Sequence, residues 1–264
     1  MPDPSPLTAA VTDQLRALLD GPADPRKLEA ALRLLAKWRS QLLANTLRAR
    51  NGHTIGHGPF AGMIYDTAAS EGGYVPRRLG IYEASLAPVI EEIVARAYPL
   101  ILDIGAAEGY YAVGLARRMP QARIIAADSD PRAQALCTAL AAANGVAHVE
   151  VRGQIGPDEI DALGPALVIC DIEGGEDALL DPAAAPALAR ADILVEVHEG
   201  MRPGLTARLT ARFAPSHRVT RIDRALDATA LPPWAETLSD LDRLLMLWEW
   251  RAAPTPWLWM QVSR

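Results

Sequence analysis

Short apolar strands alternate with helical stretches from residue 100 onward, and this alternation limits the possible folds more than any other feature of the sequence. The predicted strands are 100–104, 123–128, 148–151, 166–171, 191–198, 218–222 and 257–262, and the main intervening helices are 109–118, 131–143 and 176–189. Uninterrupted runs of Ile, Leu and Val separated by helices are typical of a parallel sheet covered on both faces. The sequence therefore predicts an α/β protein with a doubly wound, mostly parallel sheet.

The part of the chain before this alternation has a different character. Ser5 can cap a first helix that ends at Leu19, and apolar residues between Leu28 and Leu43 recur with a period near 3.6. We expect this arm to pack on the chain's own core or on a second copy, which predicts a possible homodimer. A glycine-rich stretch without clear periodicity follows, as in a lid or binding loop. The predicted division is 1–50 for the arm, 51–80 for the loop region and 81–264 for the main domain.

Composition excludes several classes of protein. A formal net charge of −6 argues against a nucleic-acid partner bound mainly through phosphates. Apolar runs fall short of the roughly 20 residues that a membrane helix needs, and the N-terminus has no secretion-signal pattern. Two cysteines, Cys137 and Cys170, form no disulfide framework, so a cytoplasmic protein is expected. Abundant alanine, with Lys27 and Lys37 as the only lysines, indicates a GC-rich bacterial genome.

A glycine loop follows the first strand of the predicted sheet. The segment Asp103-Ile-Gly105-Ala-Ala-Glu108-Gly109 leads into a helix, and such a loop lets a nucleotide-like ligand approach the backbone. Asp128 comes 19 residues after Gly109, at the end of the second strand. A carboxylate at that spacing can accept hydrogen bonds from both hydroxyls of a ribose.

Two classes of ligand use this geometry. A dinucleotide would bring a pyrophosphate beside Asp103 and Glu108, and two carboxylates repel an anion by on the order of a few kcal/mol. S-adenosyl-L-methionine (SAM) carries an ammonium and a sulfonium, which both acids attract. The loop therefore favours SAM over a nicotinamide dinucleotide, and a loop without any ligand is the remaining alternative.

Polar residues collect where two neighbouring strands of the predicted sheet end. They are Asp171, Glu173 and Glu176 after one strand, and Glu196, His198 and Glu199 at the end of the next. His198 could take a proton from an acceptor hydroxyl, although a structural histidine is an equally good interpretation. Asp171 is expected to touch the cofactor or the reacting hydroxyl. The same cluster could hold a metal, but no compact ligand spacing supports one, so no metal is predicted.

Four segments of this chain together resemble a known family. DIGAAEGYYAVGLA, ADSDP, CDIEGGE and VEVHE match, in order and spacing over residues 75–225, the motifs of FkbM-type SAM-dependent methyltransferases. The resemblance implies a class I methyltransferase fold, with a seven-stranded sheet whose last strand is antiparallel. It also implies O-methylation of a hydroxyl on a small molecule such as a sugar or a polyketide-like natural product.

Roles for single residues follow from the resemblance. Gly105 and its neighbours in the loop would surround the methionine part of SAM, and Asp128 would hold the ribose. The implied cofactor-binding residues are Glu83, Asp103, Gly105, Ala106, Glu108, Gly109, Tyr110, Asp128, Ser129, Gln154 and Asp171, and the implied catalytic residues are His198, Asp171 and Glu173. Two other functions stay open: an NAD-dependent oxidoreductase, and a catalytically inactive partner subunit with the same fold.

Tryptophan is concentrated near the C-terminus. Trp234, Trp248, Trp250, Trp257 and Trp259 all fall within the last 31 residues. Such side chains can stack on a ring-shaped acceptor or seal the edge of a sheet. The alternation in WLWMQV favours packing, and Trp234 is the expected exception.

Overall fold

The computed structural model describes residues 5–67, 73–251 and 253–263. Its α-helices are α1 (Pro6–Leu19), α2 (Pro25–Asn51), α3 (Tyr74–Leu79), α4 (Ala87–Arg96), α5 (Tyr110–Arg118), α6 (Pro131–Ala143), α7 (Pro157–Leu163), α8 (Glu176–Leu179), α9 (Leu205–Phe213) and α10 (Asp240–Met246). Its strands are β1 (Leu100–Ile104), β2 (Arg123–Ala127), β3 (Val149–Arg152), β4 (Leu167–Cys170), β5 (Asp192–Glu196), β6 (His217–Ile222) and β7 (Trp257–Val262). Short 3-10 helices lie at Ala84–Leu86, Pro186–Arg190, Ala228–Ala230 and Pro233–Thr237.

All seven strands form one sheet in the order β3-β2-β1-β4-β5-β7-β6. The first five pair in parallel, and β7 runs antiparallel between β5 and β6. The predicted doubly wound α/β fold is therefore confirmed, including the antiparallel last strand. The chain reverses its winding between β1 and β4, and ligands of such sheets bind outside the carboxyl ends of the strands at that point.

Two apolar cores cover the two faces of the sheet. Alternate strand residues divide between them, as shown by Ile101 on one face and Leu102 on the other, both fully buried. Helices α4, α5 and α6 cover the first face, and α7 and α9 cover the second. Trp257 and Trp259 point into the first core, as their alternation in β7 predicts. With both faces filled, the carboxyl edge of the sheet is left for polar side chains.

The N-terminal arm is a helical hairpin that is only partly anchored. Ser5 caps α1 through the backbone N–H of Thr8, as predicted, but α1 buries no residue. In α2, Leu43 and Leu47 pack with α3 and α10 in a third apolar cluster. Leu32, which the periodicity places on the same buried face, is 70% exposed. The expected burial therefore holds mainly for the C-terminal half of α2, with Ala31 the buried residue of the N-terminal half, and a dimer through the arm stays a prediction.

Several short helices differ from the sequence-based expectation. The loop region contains α3, which packs against α2 although its segment was predicted to be irregular. Helices α7 and α10 were not predicted, and the helix expected over 176–189 is only the single turn α8 followed by a 3-10 helix. The segment before β1 begins as a 3-10 turn and becomes α-helical at α4. Among the described residues, no helix combines the length and apolarity needed to cross a membrane.

Candidate active site

Strand register brings the two predicted motifs together at the carboxyl edge. Ile104 pairs with Cys170, so Gly105 and Asp171, which follow them, lie side by side. Gly105 has φ +80°, and a Cβ there would stand 1.6 Å from the carbonyl oxygen of Asp171. Only glycine fits this position, because any side chain would force the β1 loop away from the end of β4.

A cavity of about 580 Å³ opens between these two strand ends. It is lined by Ile104, Gly105, Ala127, Asp128, Ser129, Gln154, Ile155, Gly156, Pro157, Asp171, Ile172, Glu173, Gly175, Ala178 and Leu179. Three carboxylates belong to this lining, and none of the described lining residues is Lys, Arg or His. Its volume lies in the range of small-molecule sites, and its charge suits a cationic ligand.

Asp128 is held in place by the backbone around it. Its two carboxylate oxygens accept hydrogen bonds from the N–H of Ala107 at 2.9 Å and from the N–H of Asp130 at 2.8 Å. Each oxygen keeps a second lone pair for a ligand hydroxyl. Ser129 and Gln154 line the same cavity, where the resemblance places the cofactor.

Asp103 lies directly behind the glycine loop. Its side chain is buried, and its Oδ2 atom has no hydrogen-bond partner among the described residues. Burial, together with the nearby carboxylate of Asp128, raises the pKa of Asp103 to about 7. A buried acid without a full set of partners gains from a cation placed beside it.

Other predicted cofactor residues have protein partners instead and do not line the cavity. Glu108 is fully buried, accepts a hydrogen bond from Tyr65 and lies 3.4 Å from the guanidinium of Arg77. Tyr110 packs edge-to-face against four aromatic rings, Phe60, Tyr65, Tyr82 and Tyr111. Glu83 lies farther away, beside β7. Asp103, Ala106 and Gly109 are also outside the lining, and Gly109, with φ +91°, is the N-cap residue of α5.

His198 is surrounded by carboxylates from both strand ends. Its Nε2 atom lies 3.2 Å from Glu173 Oε2, 3.6 Å from Asp171 Oδ1 and 3.8 Å from Glu196 Oε2. Its Nδ1 atom lies 2.6 Å from Oε1 of Glu176, whose side chain is fully buried. The structure thus brings together the three predicted catalytic residues, Asp171, Glu173 and His198.

Opposing effects set the protonation of this cluster. Burial lowers the pKa of His198, whereas the hydrogen bond to Glu176 and the carboxylates of Glu196 and Glu173 raise it. The second effect is larger, so the pKa of His198 lies above its ordinary value. Burial raises the pKa of Glu176, yet its hydrogen bonds from His198 and from the N–H of Gly174 bring it below its ordinary value. An ionised Glu176 can only accept, so in that state the proton of this hydrogen bond lies on Nδ1 of His198.

A second cavity of about 380 Å³ lies on the other side of His198. Its lining includes Arg77, Tyr82, Glu173, Glu196, His198, Gly200, Met201, Glu249, Trp250, Arg251, Ala253 and Thr255. Glu173 lines both cavities, so they meet at this residue. Glu173 and Trp250 have φ values of +52° and +66°, and such backbone strain in non-glycine residues is concentrated at functional sites.

Arg251 connects the second cavity to three buried carboxylates. It forms ion pairs with Glu83, Glu196 and Glu249, and it donates to the hydroxyl of Thr255. Burial and the neighbouring Glu196 raise the pKa of Glu83 to about 7. Sequence reasoning missed Arg251 and Thr255, because the ion pair between Arg251 and Glu196 spans 55 residues and no motif surrounds it.

The tryptophan that lines the second cavity is not the expected one. Trp250 lines the second cavity and stacks on Trp248 at 5.6 Å between ring centroids. Trp234, the expected exception, instead donates to the side chain of Asn51 and lies under the guanidinium of Arg50. Trp234 therefore joins the arm to the main domain.

Similarity to known proteins supports a specific class. The chain is 31% identical over 220 residues to the release factor glutamine methyltransferase of Cereibacter sphaeroides, covering 79% of this chain and 70% of that protein. The O-methyltransferase TomG of Streptomyces achromogenes, solved with SAM, is 14% identical with a TM-score of 0.45 and 96% coverage of both chains. The O-methyltransferase of Bacillus cereus, solved with S-adenosylhomocysteine, is 14% identical with a TM-score of 0.45, covering 98% of this chain and 100% of that one. No protein-family profile matches the chain.

The fold, the acidic cavity and the sequence relative define a SAM-binding transferase. The chain belongs to the class I SAM-dependent methyltransferases. SAM is its cofactor, as the loop and its acids predict, and the nicotinamide alternative is not favoured. The structures at 14% identity do not bear on its acceptor, and membership of the FkbM-type group stays a prediction.

Proposed function

We propose that this protein transfers the methyl group of SAM to a hydroxyl oxygen of a small-molecule acceptor. The observation that carries the proposal is the meeting of two cavities at Glu173, next to His198. One cavity is acidic and lies at the glycine loop, and the other has aromatic and polar walls. A methyl donor in the first and an acceptor in the second would face each other across this junction.

The first cavity has the properties that the cofactor requires. Asp128 presents a carboxylate fixed by two backbone N–H groups, which suits the two hydroxyls of a ribose. Apolar side chains such as Ile155 and Leu179 offer walls for an adenine ring. When bound, SAM supplies a methyl group on a positively charged sulfur. Asp103, buried behind the loop, would stabilise this charge together with Asp171.

The second cavity suits a hydroxyl-bearing acceptor. Methyl transfer forms a bond from the acceptor oxygen to the methyl carbon and breaks the carbon–sulfur bond, whose electron pair goes to sulfur. The hydroxyl proton must leave, and the Asp171, Glu173 and His198 cluster lies at the junction to receive it. Tyr82 and Trp250 supply aromatic walls for the rest of the acceptor. The chain's main contribution is alignment and proton removal.

An acceptor assay with labelled SAM tests the proposal. The full chain is incubated with SAM carrying a labelled methyl group and a panel of sugars, hydroxylated natural-product acids and a glutamine-containing peptide. We expect label in a hydroxyl-bearing compound as an ether that survives mild base. Label in the peptide amide alone, as the name of the Cereibacter relative would suggest, would overturn O-methylation. A protein stabilised by NAD and not by SAM in a thermal-shift measurement would overturn the whole assignment.

A further inference from the structure

We propose that Asp171, Glu196 and His198 form a binding site for a divalent cation of the Mg²⁺ or Mn²⁺ type. The Nε2 of His198 lies 3.6 Å from Asp171 Oδ1 and 3.8 Å from Glu196 Oε2, and all three ligand atoms lie within 4.8 Å of one another. Around an octahedral ion with bonds of about 2.1 Å, adjacent ligands stand about 3.0 Å apart and opposite ligands about 4.2 Å apart. The two distances from His198 Nε2 lie within that range.

Partners behind the ligands hold them in a metal-binding orientation. The Nδ1–H of His198 donates to Glu176, so the lone pair of Nε2 points toward the two carboxylates. Oε1 of Glu196 accepts from Arg251 and from the hydroxyl of Thr255 at 2.5 Å, which turns Oε2 toward His198. Ligands of metal sites usually have such second partners, which orient the ligand and raise its basicity.

Four carboxylates concentrate negative charge around His198. The carboxylates of Asp171, Glu173, Glu176 and Glu196 all lie within 4 Å of the His198 ring nitrogens. Arg251 offsets part of the charge on Glu196, but it is shared with Glu83 and Glu249. Glu196 and Glu176 are almost fully buried, and buried charges are costly unless paired or coordinated to a metal. A divalent ion would offset part of this negative charge.

The donor set indicates the kind of ion. Two carboxylates and one imidazole are hard or borderline ligands, and carboxylate-rich sites suit Mg²⁺ and Mn²⁺ better than thiolate-binding metals. The nearby Cys170 is not available as a ligand, because its side chain is fully buried in the core on the second face of the sheet.

The position of this site deepens the proposed function and rests on it. Asp171 lines the first cavity, and Glu196 and His198 line the second, so the ion would lie at the junction. A divalent cation lowers the pKa of a hydroxyl bound to it, which removes the need for a strong base. In this arrangement His198 is a ligand through Nε2, and Glu173, whose side chain is about half exposed, takes the acceptor proton.

Binding of Mn²⁺ to the metal-stripped full chain tests the site directly. Titration with MnCl₂ is followed by electron paramagnetic resonance, and we expect one bound ion that MgCl₂ displaces. Asp171→Asn and His198→Gln should each weaken Mn²⁺ binding by at least about tenfold. Glu199→Gln is the matched control, because the carboxylate of Glu199 accepts from Gly204 and Thr206 instead of facing His198, and its Mn²⁺ affinity should stay within about threefold of the parent. Unfolding curves of all variants report whether each one folds.

The outcomes separate this site from the proposed function. Absence of Mn²⁺ binding, or equal binding by the parent and Asp171→Asn, overturns the cation site. Undiminished methylation of a hydroxyl acceptor in excess chelator also overturns it and leaves O-methylation standing. Specific Mn²⁺ binding with amide methylation as the only activity supports the site and overturns the proposed function. Displacement of Mn²⁺ by Zn²⁺ but not by Mg²⁺ overturns the choice of ion.

Discussion

The carbonyl oxygen of Asp171 occupies the place where any side chain on Gly105 would begin. Gly105→Ala would therefore push the β1 loop away from the end of β4, and its φ of +80° adds strain. We expect loss of measurable SAM binding by calorimetry and a clearly lower unfolding temperature.

Gly145→Ala is the control for this substitution. Gly145 also has a positive φ, +66°, but no atom lies within 4 Å of its missing Cβ. It should lose only the backbone strain of about 1 kcal/mol and bind SAM normally. Equal SAM affinity in both variants would show that the close approach of the two strand ends does not shape the cofactor site.

Asp128 is expected to supply much of the affinity for the ribose of SAM. Asp128→Ala should weaken SAM binding by about 10- to 100-fold, because a charged hydrogen bond contributes about 1.5–3 kcal/mol. Asp130→Ala is its counterpart: Asp130 caps α6 through the N–H of Arg132 and does not line the cavity. That variant should lose stability and keep its affinity. A normal dissociation constant for SAM in Asp128→Ala would show that Asp128 does not bind the ribose.

SAM affinity should depend on pH through Asp103. Because its pKa is about 7, Asp103 is mostly protonated at pH 6 and mostly ionised at pH 8. A cationic ligand prefers the ionised form, so binding releases a proton and affinity should rise by about tenfold between these pH values. Calorimetry in buffers of different ionisation enthalpy measures the released proton. In Asp103→Asn the proton release should disappear; its persistence would assign it to another group.

His198 should matter for turnover and little for cofactor binding. With a hydroxyl acceptor, His198→Ala is expected to lower kcat by at least about 100-fold, because it removes a member of the cluster that activates the acceptor hydroxyl, and proton removal in such clusters contributes about 10²- to 10⁴-fold. Its side chain lines the second cavity and not the first, so the dissociation constant of SAM should stay within about threefold. Full turnover in this variant would show that His198 has only a structural role.

Arg251 should stabilise the fold more at high pH than at low pH. Arg251→Met leaves Glu83, Glu196 and Glu249 without their shared cation, which should cost about 3–5 kcal/mol when they are ionised. The pKa of Glu83 is raised from 4.5 to about 7, so the stability linked to its protonation is present at low pH and is lost as pH rises through 7. The difference in unfolding temperature from the parent should therefore be larger at pH 8 than at pH 5.5.

The exposed pair between Arg16 and Asp13 provides the comparison. Both side chains are about three-quarters exposed, and solvent screens such a pair at any pH. Arg16→Met should leave the unfolding temperature almost unchanged at both pH values. A loss in Arg251→Met that is equal at pH 5.5 and pH 8 would mean that Glu83 does not titrate in this range.

The sheet was predictable because its strands are continuous apolar runs with turn residues between them. Strand β4 has four residues and is fully buried, so its apolar composition alone predicts a strand. Helices α7 and α10 have seven residues each, too few turns for a clear 3.6-residue period, and α3 depends on packing against α2. For Leu28 and Leu32 the helix was predicted correctly and the burial was not. Both follow the helical period, yet both are exposed among the described residues.

Half of the candidate site was also predictable, for a similar reason. Asp128, Asp171 and His198 lie at strand ends, where topology alone brings side chains to one edge. The role of Glu108 was not predictable. The sequence alone does not distinguish a glutamate that faces a cofactor cation from one that is buried beside Tyr65 and Arg77. Arg251 was out of reach, since only the antiparallel pairing of β7 with β5 brings its segment beside Glu196.

The shared wall at Glu173 also has a consequence for ligand design. Because this residue lines both cavities, a single molecule could occupy the two at once, with an adenosine half on one side and an acceptor-like half on the other. The link between the halves would pass the carboxylates of Glu173 and Asp171, so an amine in that link would be held by charge attraction. The acceptor-like half of such a bisubstrate compound would meet the aromatic walls that Trp250 and Tyr82 form in the second cavity.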